Sequence, residues 1–555
     1  MRPIEALQKN RMLIICICVL FVLIICPLAF VFGRAVIVDG RPDLSYAVAA
    51  ITDSDNLTTI KNSLVLGLSV VALSTFIAAP LAFLTARTEF AKYRWIDIVV
   101  MVPFMTPPYI SSMGWILFMQ KNGLFQQMFP FTGGFSESFF HFGGLVLVMS
   151  LHMFPFMYTM LKNALLNVNS NLEEAGALFG GDFGYRMRRI MIPLVTGNYA
   201  IGALLVFVKT LSEYGTPATL GQRIGFYVFT TDIHRHSTTA PIDFGKAASL
   251  SSVLVGICLM MWWLQNYITN QKTYRLVSGK GVRVLKKPLR PAARWGAWGY
   301  LALLLVIAIG VPYFSVIATS LIKLRGYGLA AGNFTFAHYV ELFAENPKGR
   351  NAIWTSLYLA VGAATICAVL GTVITVAIHY GKTRLKKTVE AIALLPEMLP
   401  GIVMVIGLML FWNKIYTWIP LYNTVGIMVL AYVVLYLPYT VQYVTSSFSQ
   451  INDSLIQAGR VFGGSGLYIF RKITFPLVIK GVATGWMMTF IISFRELVAA
   501  SMMAPPSTLT ISTFIVREFE QGSVSVGMAM AVLCVALTTG ILIFLNRAAD
   551  TRPEP

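Results

Sequence analysis

Runs of about twenty apolar residues recur from one end of this chain to the other, and no other feature constrains its fold as strongly. They fall near 12–32, 63–86, 95–119, 142–166, 194–213, 246–268, 298–321, 352–379, 388–412, 424–446, 478–498 and 525–546. A helix of about twenty such residues crosses the hydrocarbon layer of a bilayer. The expectation is an all-α, polytopic membrane protein with twelve spans. Composition agrees: 56% of the 555 residues are hydrophobic and 12% charged, where soluble domains carry about 25% charged residues. That excludes a soluble enzyme, a disordered chain and a disulfide-stapled secreted domain. The first run follows Arg2, Lys9 and Arg11 and shows no small-residue cleavage site, so it reads as a retained helix rather than a signal peptide. The six cysteines all lie in apolar runs, without zinc or haem spacing, and read as small packing residues.

The formal charge of +19 would point to nucleic acid in a soluble chain, but here it reports topology. With the N-terminus inside, the inner segments hold 28 of the 43 Lys and Arg and 10 of the 24 Asp and Glu. The clearest inner segment is 269–297, with Lys272, Arg275, Lys280, Arg283, Lys286, Lys287, Arg290 and Arg294. Both termini are therefore expected in the cytoplasm, and no nucleic-acid partner is expected.

The chain is also written twice. Residues 174–193, EAGALFGGDFGYRMRRIMIP, align without a gap on 457–476, QAGRVFGGSGLYIFRKITFP, at an offset of 283. Pro155/Pro438 and Glu213/Glu496 keep that offset, and earlier in each half Asp97/Glu390, Pro103/Pro396 and Pro107/Pro400 coincide at 293. Six spans per half is an even number, so the halves enter the membrane in the same direction, as a parallel repeat. The organisation expected is a first half over 1–268 (core about 58–265), a basic cytoplasmic linker over 269–297, and a second half over 298–555 (core about 350–546). The duplicated polar segments, 171–193 and 454–476, lie between the fourth and fifth spans. Each reads as a short helix, a Gly-Gly break, and a basic amphipathic turn ending before proline. One reading is a helix pair lying on the membrane face. The other is an element that a cytoplasmic partner grips, and two copies imply two similar partners.

The pattern E-A-[AG]-x-x-x-G-x(9)-I-x-[hydrophobic]-P resembles the EAA loop of permease subunits of binding-protein-dependent ABC importers of the type I fold. Glu174, Ala175, Gly176, Gly180, Ile190 and Pro193 match in the first copy. Ala458, Gly459, Gly463, Ile473 and Pro476 match in the second, where Gln457 replaces the acid. The resemblance implies a channel in the bacterial inner membrane whose two loops dock on two cytoplasmic ABC ATPase subunits, fed by a periplasmic or lipid-anchored binding protein. It implies no cofactor on this chain, with ATP and magnesium held by the partners. The chain shows no phosphate-binding loop: before Gly381-Lys382-Thr383, Val376 stands where the first glycine belongs.

Fusion of both halves in one chain resembles the ferric-iron importer permeases. The stretch Ser212–Ala218, SEYGTPA, resembles that group and its aminoethylphosphonate- and sugar-phosphate-importing relatives. Ferric iron is the expected solute, with 2-aminoethylphosphonate, sugar phosphate or a polyamine as alternatives. Charged residues in or beside spans are costly and are candidates for the solute path. Glu213 and Glu496 are repeat-equivalent, with Lys209 one turn before the first and Arg495 beside the second. They read either as interfacial ion pairs or as a gate making transient contact with iron. Glu397, between Pro396 and Pro400, has Phe104 as its counterpart and is a candidate for lining the path. His152 reads as a helix-contact histidine, and no cluster has stable metal-ligand spacing. The rival classes are a twelve-helix secondary transporter, which needs no ATPase, and a membrane-embedded enzyme, which needs a convergent catalytic set not found here.

Overall fold

The computed structural model describes residues 3–38, 41–271, 286–381 and 384–550. Arg2, Lys272, Arg275, Lys280, Arg283, Lys382 and Thr383, singled out above, lie outside the described residues. Among the described residues, ten helices are long and apolar enough to cross a membrane, and twelve spans result when each of two bent pairs counts as one. Helices are the natural outcome for such runs, because they satisfy every backbone polar group within the segment where no water can.

The bent pairs are 95–119 and 388–412 of the sequence reading, each expected as one span, the second broken at its prolines. The first breaks into Trp95–Met105 and Pro108–Met119 at 88°, the second into Leu385–Met398 and Gly401–Lys414 at 110°. Each break falls at the repeated prolines Pro107 and Pro400. Thr106 and Leu399 are extended there, with ψ of 133° and 149°, because proline excludes the helical conformation from the residue before it.

Elsewhere proline is absorbed without a break. A π-helical turn lies directly upstream of Pro27, Pro193, Pro312 and Pro476, over Phe21–Ile25, Met187–Met191, Val306–Gly310 and Phe470–Thr474. Proline removes one ladder hydrogen bond and crowds the carbonyl four residues back. One widened turn relieves both and leaves the helix continuous. The amphipathic turn expected to end before Pro193 or Pro476 therefore does not end. It is the start of the Phe183–Ser212 and Gly466–Phe494 helices.

The chain forms two compact units. One comprises Met1–Ala50, Ile233–Val255 and Ala337–Pro555, the other Ile51–Asp232 and Gly256–Phe336. The first span of each half is thus packed within the unit built mainly from the other half. The same small residue receives it both times. A Cβ on Gly407 would sit 2.6 Å from the carbonyl oxygen of Pro27, and a Cβ on Gly114 would sit 2.7 Å from that of Pro312. Gly114 and Gly407 stand 293 apart, so the seat belongs to the repeat.

Candidate functional site

The duplicated segments fold alike, atom for atom at the decisive points. The first runs as a helix over Ser170–Leu178 capped by Asn169, the second over Asp453–Val461 capped by Asn452. Gly180 and Gly463 follow with φ of +80° and +79°, a conformation glycine adopts at little cost. That turn lets the Gly181 amide donate to the Gly176 carbonyl at 2.9 Å, and Gly464 to Gly459 at 3.0 Å, closing the helix end. Asp182 and Ser465 then cap the next helix by accepting from the amides of Tyr185 and Tyr468. Gly176 and Gly459 leave room for the expected isoleucines: a Cβ there would meet Ile190 Cδ1 at 2.6 Å and Ile473 Cδ1 at 2.7 Å. Glu174, Ala175, Gln457 and Ala458 are exposed, as are Pro193 and Pro476, while Ile190 and Ile473 are half-buried. Sequence reasoning passed over the two large apolar pairs at the tips. Leu178 and Phe179 are 87% and 91% exposed, Val461 and Phe462 84% and 90%. Repeat-equivalent and bare, they have the character of docking surfaces.

Sequence reasoning also missed what holds the first segment. Glu173, not Glu174, turns inward: it is buried and ion-paired to Lys287 Nζ at 2.5 Å and Arg186 at 3.8 Å. The Lys287 amide donates to the carbonyl of Arg87 at 3.0 Å. Arg87 is itself buried, its guanidinium donating to the carbonyls of Leu165 at 2.7 Å and Val168 at 2.6 Å and to Ser170 Oγ at 3.2 Å. The second copy has Ile456 where Glu173 stands. Helical phase decides which of two adjacent glutamates faces inward, and the motif alone does not carry that phase.

At the far end of the Phe183–Ser212 and Gly466–Phe494 helices lie the two repeated glutamates. Glu213 accepts from the Thr216 amide at 3.0 and 3.2 Å, and Glu496 from the amides of Ala499 and Ala500, both at 3.0 Å. Thr230 Oγ1 donates to the Glu213 carbonyl at 2.8 Å, and Ser512 Oγ donates to the Glu496 carbonyl. Among the described residues, Lys209 and Glu213 form no ion pair. Both carboxylates thus hold the turn that follows their helix. Arg495 is half-buried beside Glu496.

Glu397, half-buried just before the bend of its helix pair, accepts from Gln442 Nε2. Asp97 is ion-paired to Lys162 and accepts from the Tyr158 hydroxyl, which also lies 3.0 Å from Thr85 Oγ1. His152 Nδ1 is 2.9 Å from the carbonyl oxygen of Pro103. That carbonyl has no helical partner because residue 107 is proline, so His152 stabilises the broken helix. Among the described residues, no group of three His, Cys, Asp or Glu is placed to hold a metal ion.

The family model for the inner membrane component of binding-protein-dependent transport systems matches residues 78–273 and 368–554. The chain is 24% identical over 535 residues to the Fe(3+)-transport system permease protein FbpB 2 of Haemophilus influenzae, covering 95% of this chain and 96% of that protein. It is 24% identical over 509 residues to the ferric transport system permease protein FbpB of Actinobacillus pleuropneumoniae, covering 89% and 71%. A shorter match, 26% over 239 residues, is to the spermidine/putrescine transport system permease protein PotC of Haemophilus influenzae, covering 42% and 88%.

Proposed function

The chain belongs to the inner membrane components of binding-protein-dependent transport systems, and on that premise we propose that it is a fused permease carrying ferric iron into the cytoplasm. It is the membrane subunit of an ABC importer with both halves in one chain. The division at the 269–297 linker, with halves over 1–268 and 298–555, is part of this reading. Ferric iron is favoured because the two ferric relatives align along most of the chain, whereas the polyamine relative aligns with 42% of it.

The observation that carries the reading is the pair of congruent segments with bare apolar tips. Each would seat in a groove of one ATPase subunit, with Glu174, Ala175, Gly176, Gly180, Ile190 and Pro193 shaping the first and Gln457, Ala458, Gly459, Gly463, Ile473 and Pro476 the second. ATP and magnesium sit on those partners, and both termini lie in the cytoplasm with them. A loaded binding protein docks on the opposite face. The 30- and 29-residue helices from Phe183 to Ser212 and from Gly466 to Phe494 join docking segment to glutamate-capped turn over about 45 Å at 1.5 Å per residue. A rigid rod of that kind carries a displacement from the ATPase to the far side of the membrane. Glu213 and Glu496 then act by keeping the far turn attached to the rod.

The substrate is tested in proteoliposomes holding the assembled importer, with the partner binding protein presented in turn with ferric ion, 2-aminoethylphosphonate, a sugar phosphate and spermidine. ATP-dependent accumulation of ferric ion is the expected result. Accumulation of any of the other three with exclusion of iron would overturn the ferric assignment and leave the permease reading intact.

A further inference from the structure

Four tyrosines share one face of the Val425–Phe448 helix. Tyr432, Tyr436, Tyr439 and Tyr443 are spaced four, three and four apart, which places them within about 60° of one another and along about 16 Å of the axis at 3.6 residues per turn. The rings of Tyr432 and Tyr436 are 6.2 Å apart, and those of Tyr436 and Tyr439 are 6.4 Å apart. Beside the strip, Gln442 donates to Glu397.

A phenol within a helix bundle ordinarily gives its hydroxyl to an acceptor. Tyr158 donates to Asp97, and Tyr300 donates to the carbonyl of Ile77. The hydroxyls of Tyr436, Tyr439 and Tyr443 have no hydrogen-bond partner among the described residues. All three side chains are half-buried. They lie from the middle toward the C-terminal end of one of the two most buried candidate spans, the other being its repeat counterpart Phe142–Leu166.

The duplication supplies an internal control. At the same positions the first half has Met153, Phe156 and Met160 for the three tyrosines, Phe104 for Glu397 and Thr159 for Gln442. Phe104 and Phe156 pack edge to face with centroids 4.3 Å apart. The same architecture is therefore built with a set that is apolar but for Thr159, and the second half carries phenols, an amide and a carboxylate that folding does not require.

We propose that Tyr436, Tyr439 and Tyr443, with Glu397 and Gln442, form a one-sided contact strip for the transported solute. Its oxygen groups suit a hard, highly hydrated cation, whereas the thioethers at the equivalent positions of the first half suit soft metals. A ferric ion with its shell of water or hydroxide would pass along the strip by exchanging hydrogen bonds, with Glu397 supplying negative charge. The solute in this proposal rests on the ferric reading above; the strip itself does not.

The test uses the full importer with its ATPase and binding protein in proteoliposomes, comparing Y436F/Y439F/Y443F with the control pair M153L/M160L. The triple variant keeps every ring and loses only the hydroxyls. Expected is a fall in ferric uptake of about tenfold or more, from the loss of three hydrogen-bonding groups, while ATP hydrolysis stimulated by loaded binding protein persists. The control pair should stay within twofold of wild type on both readouts. Wild-type uptake by the triple variant would overturn the strip. If the triple variant does not assemble, Y439F alone decides: a severalfold loss of uptake with hydrolysis intact supports the strip, and full uptake overturns it. A wild type that carries a polyamine or phosphonate and no iron overturns the ferric reading alone, and the same variants then judge the strip with that solute.

Discussion

Substitution of Gly180 and Gly463 separates backbone geometry from contact with a partner. Each glycine has a positive φ, +80° and +79°, and among the described residues nothing but its immediate chain neighbours lies within 4 Å of a Cβ placed on either. A side chain there meets no clash, so its intramolecular cost is the left-handed backbone alone, about 1–2 kcal/mol. That shifts the population of the closed turn about 5- to 30-fold. A β-branched residue should suffer most, and asparagine, enriched at positive φ, least. The assay is equilibrium binding of the isolated ATPase subunit to the permease in nanodiscs, with each glycine replaced by Asn, Ala or Val. Affinity should fall in the order Gly, Asn, Ala, Val, with Val weaker by about 5- to 30-fold. The folded membrane fraction should be unchanged. Valine variants that bind as well as wild type would refute the docking role of the turn. Asparagine variants as weak as valine would refute the backbone explanation and point to close approach by the partner.

Other expectations follow from the same geometry. Arg87→Leu strands the acceptors at Leu165, Val168 and Ser170 and should lower stability by about 2 kcal/mol or more, read as thermal unfolding of the purified protein; an unchanged midpoint would contradict it. Lys287→Ala removes the nearer partner of Glu173. With the lysine side chain 49% exposed the cost should be about 1 kcal/mol, seen as faster amide exchange over 170–178 and no change over 453–461. Glu213→Gln and Glu496→Gln keep an acceptor for the turn and should transport within about twofold of wild type, while the alanine variants lose those bonds and about 1–3 kcal/mol. Inactive glutamine variants in an uptake assay would instead mark a charged gate. Gly114→Val and Gly407→Val place a side chain against the carbonyls of Pro312 and Pro27 and should destabilise by about 1–3 kcal/mol, measured by denaturant titration in detergent.

The number of spans, the duplication and the duplicated segments could be read from residues alone because each leaves a one-dimensional trace: hydropathy, a constant offset, or a glycine at a fixed place. The proline break was legible at Pro400 but not at Pro107, since a broken helix has the same hydropathy as a straight one and proline at four other places is absorbed by a π turn. Which unit receives the first span of each half was also hidden. Its marker is a glycine, Gly114 or Gly407, about 200 or 380 residues from the proline it meets, and apolar faces alone do not name their partner. Glu173 was overlooked beside Glu174 because one residue on a helix changes facing by about 100°. The tyrosine strip was visible as a spacing, yet only its unpartnered hydroxyls and the apolar counterpart in the first half distinguish it from packing.

The most direct test of an ATP-driven permease is solute uptake by the purified chain in proteoliposomes, with and without its ATPase and binding protein. Accumulation should require ATP, both partners and the loaded binding protein, and should be indifferent to an imposed proton or sodium gradient. Uptake by this chain alone, driven by either gradient, would contradict it.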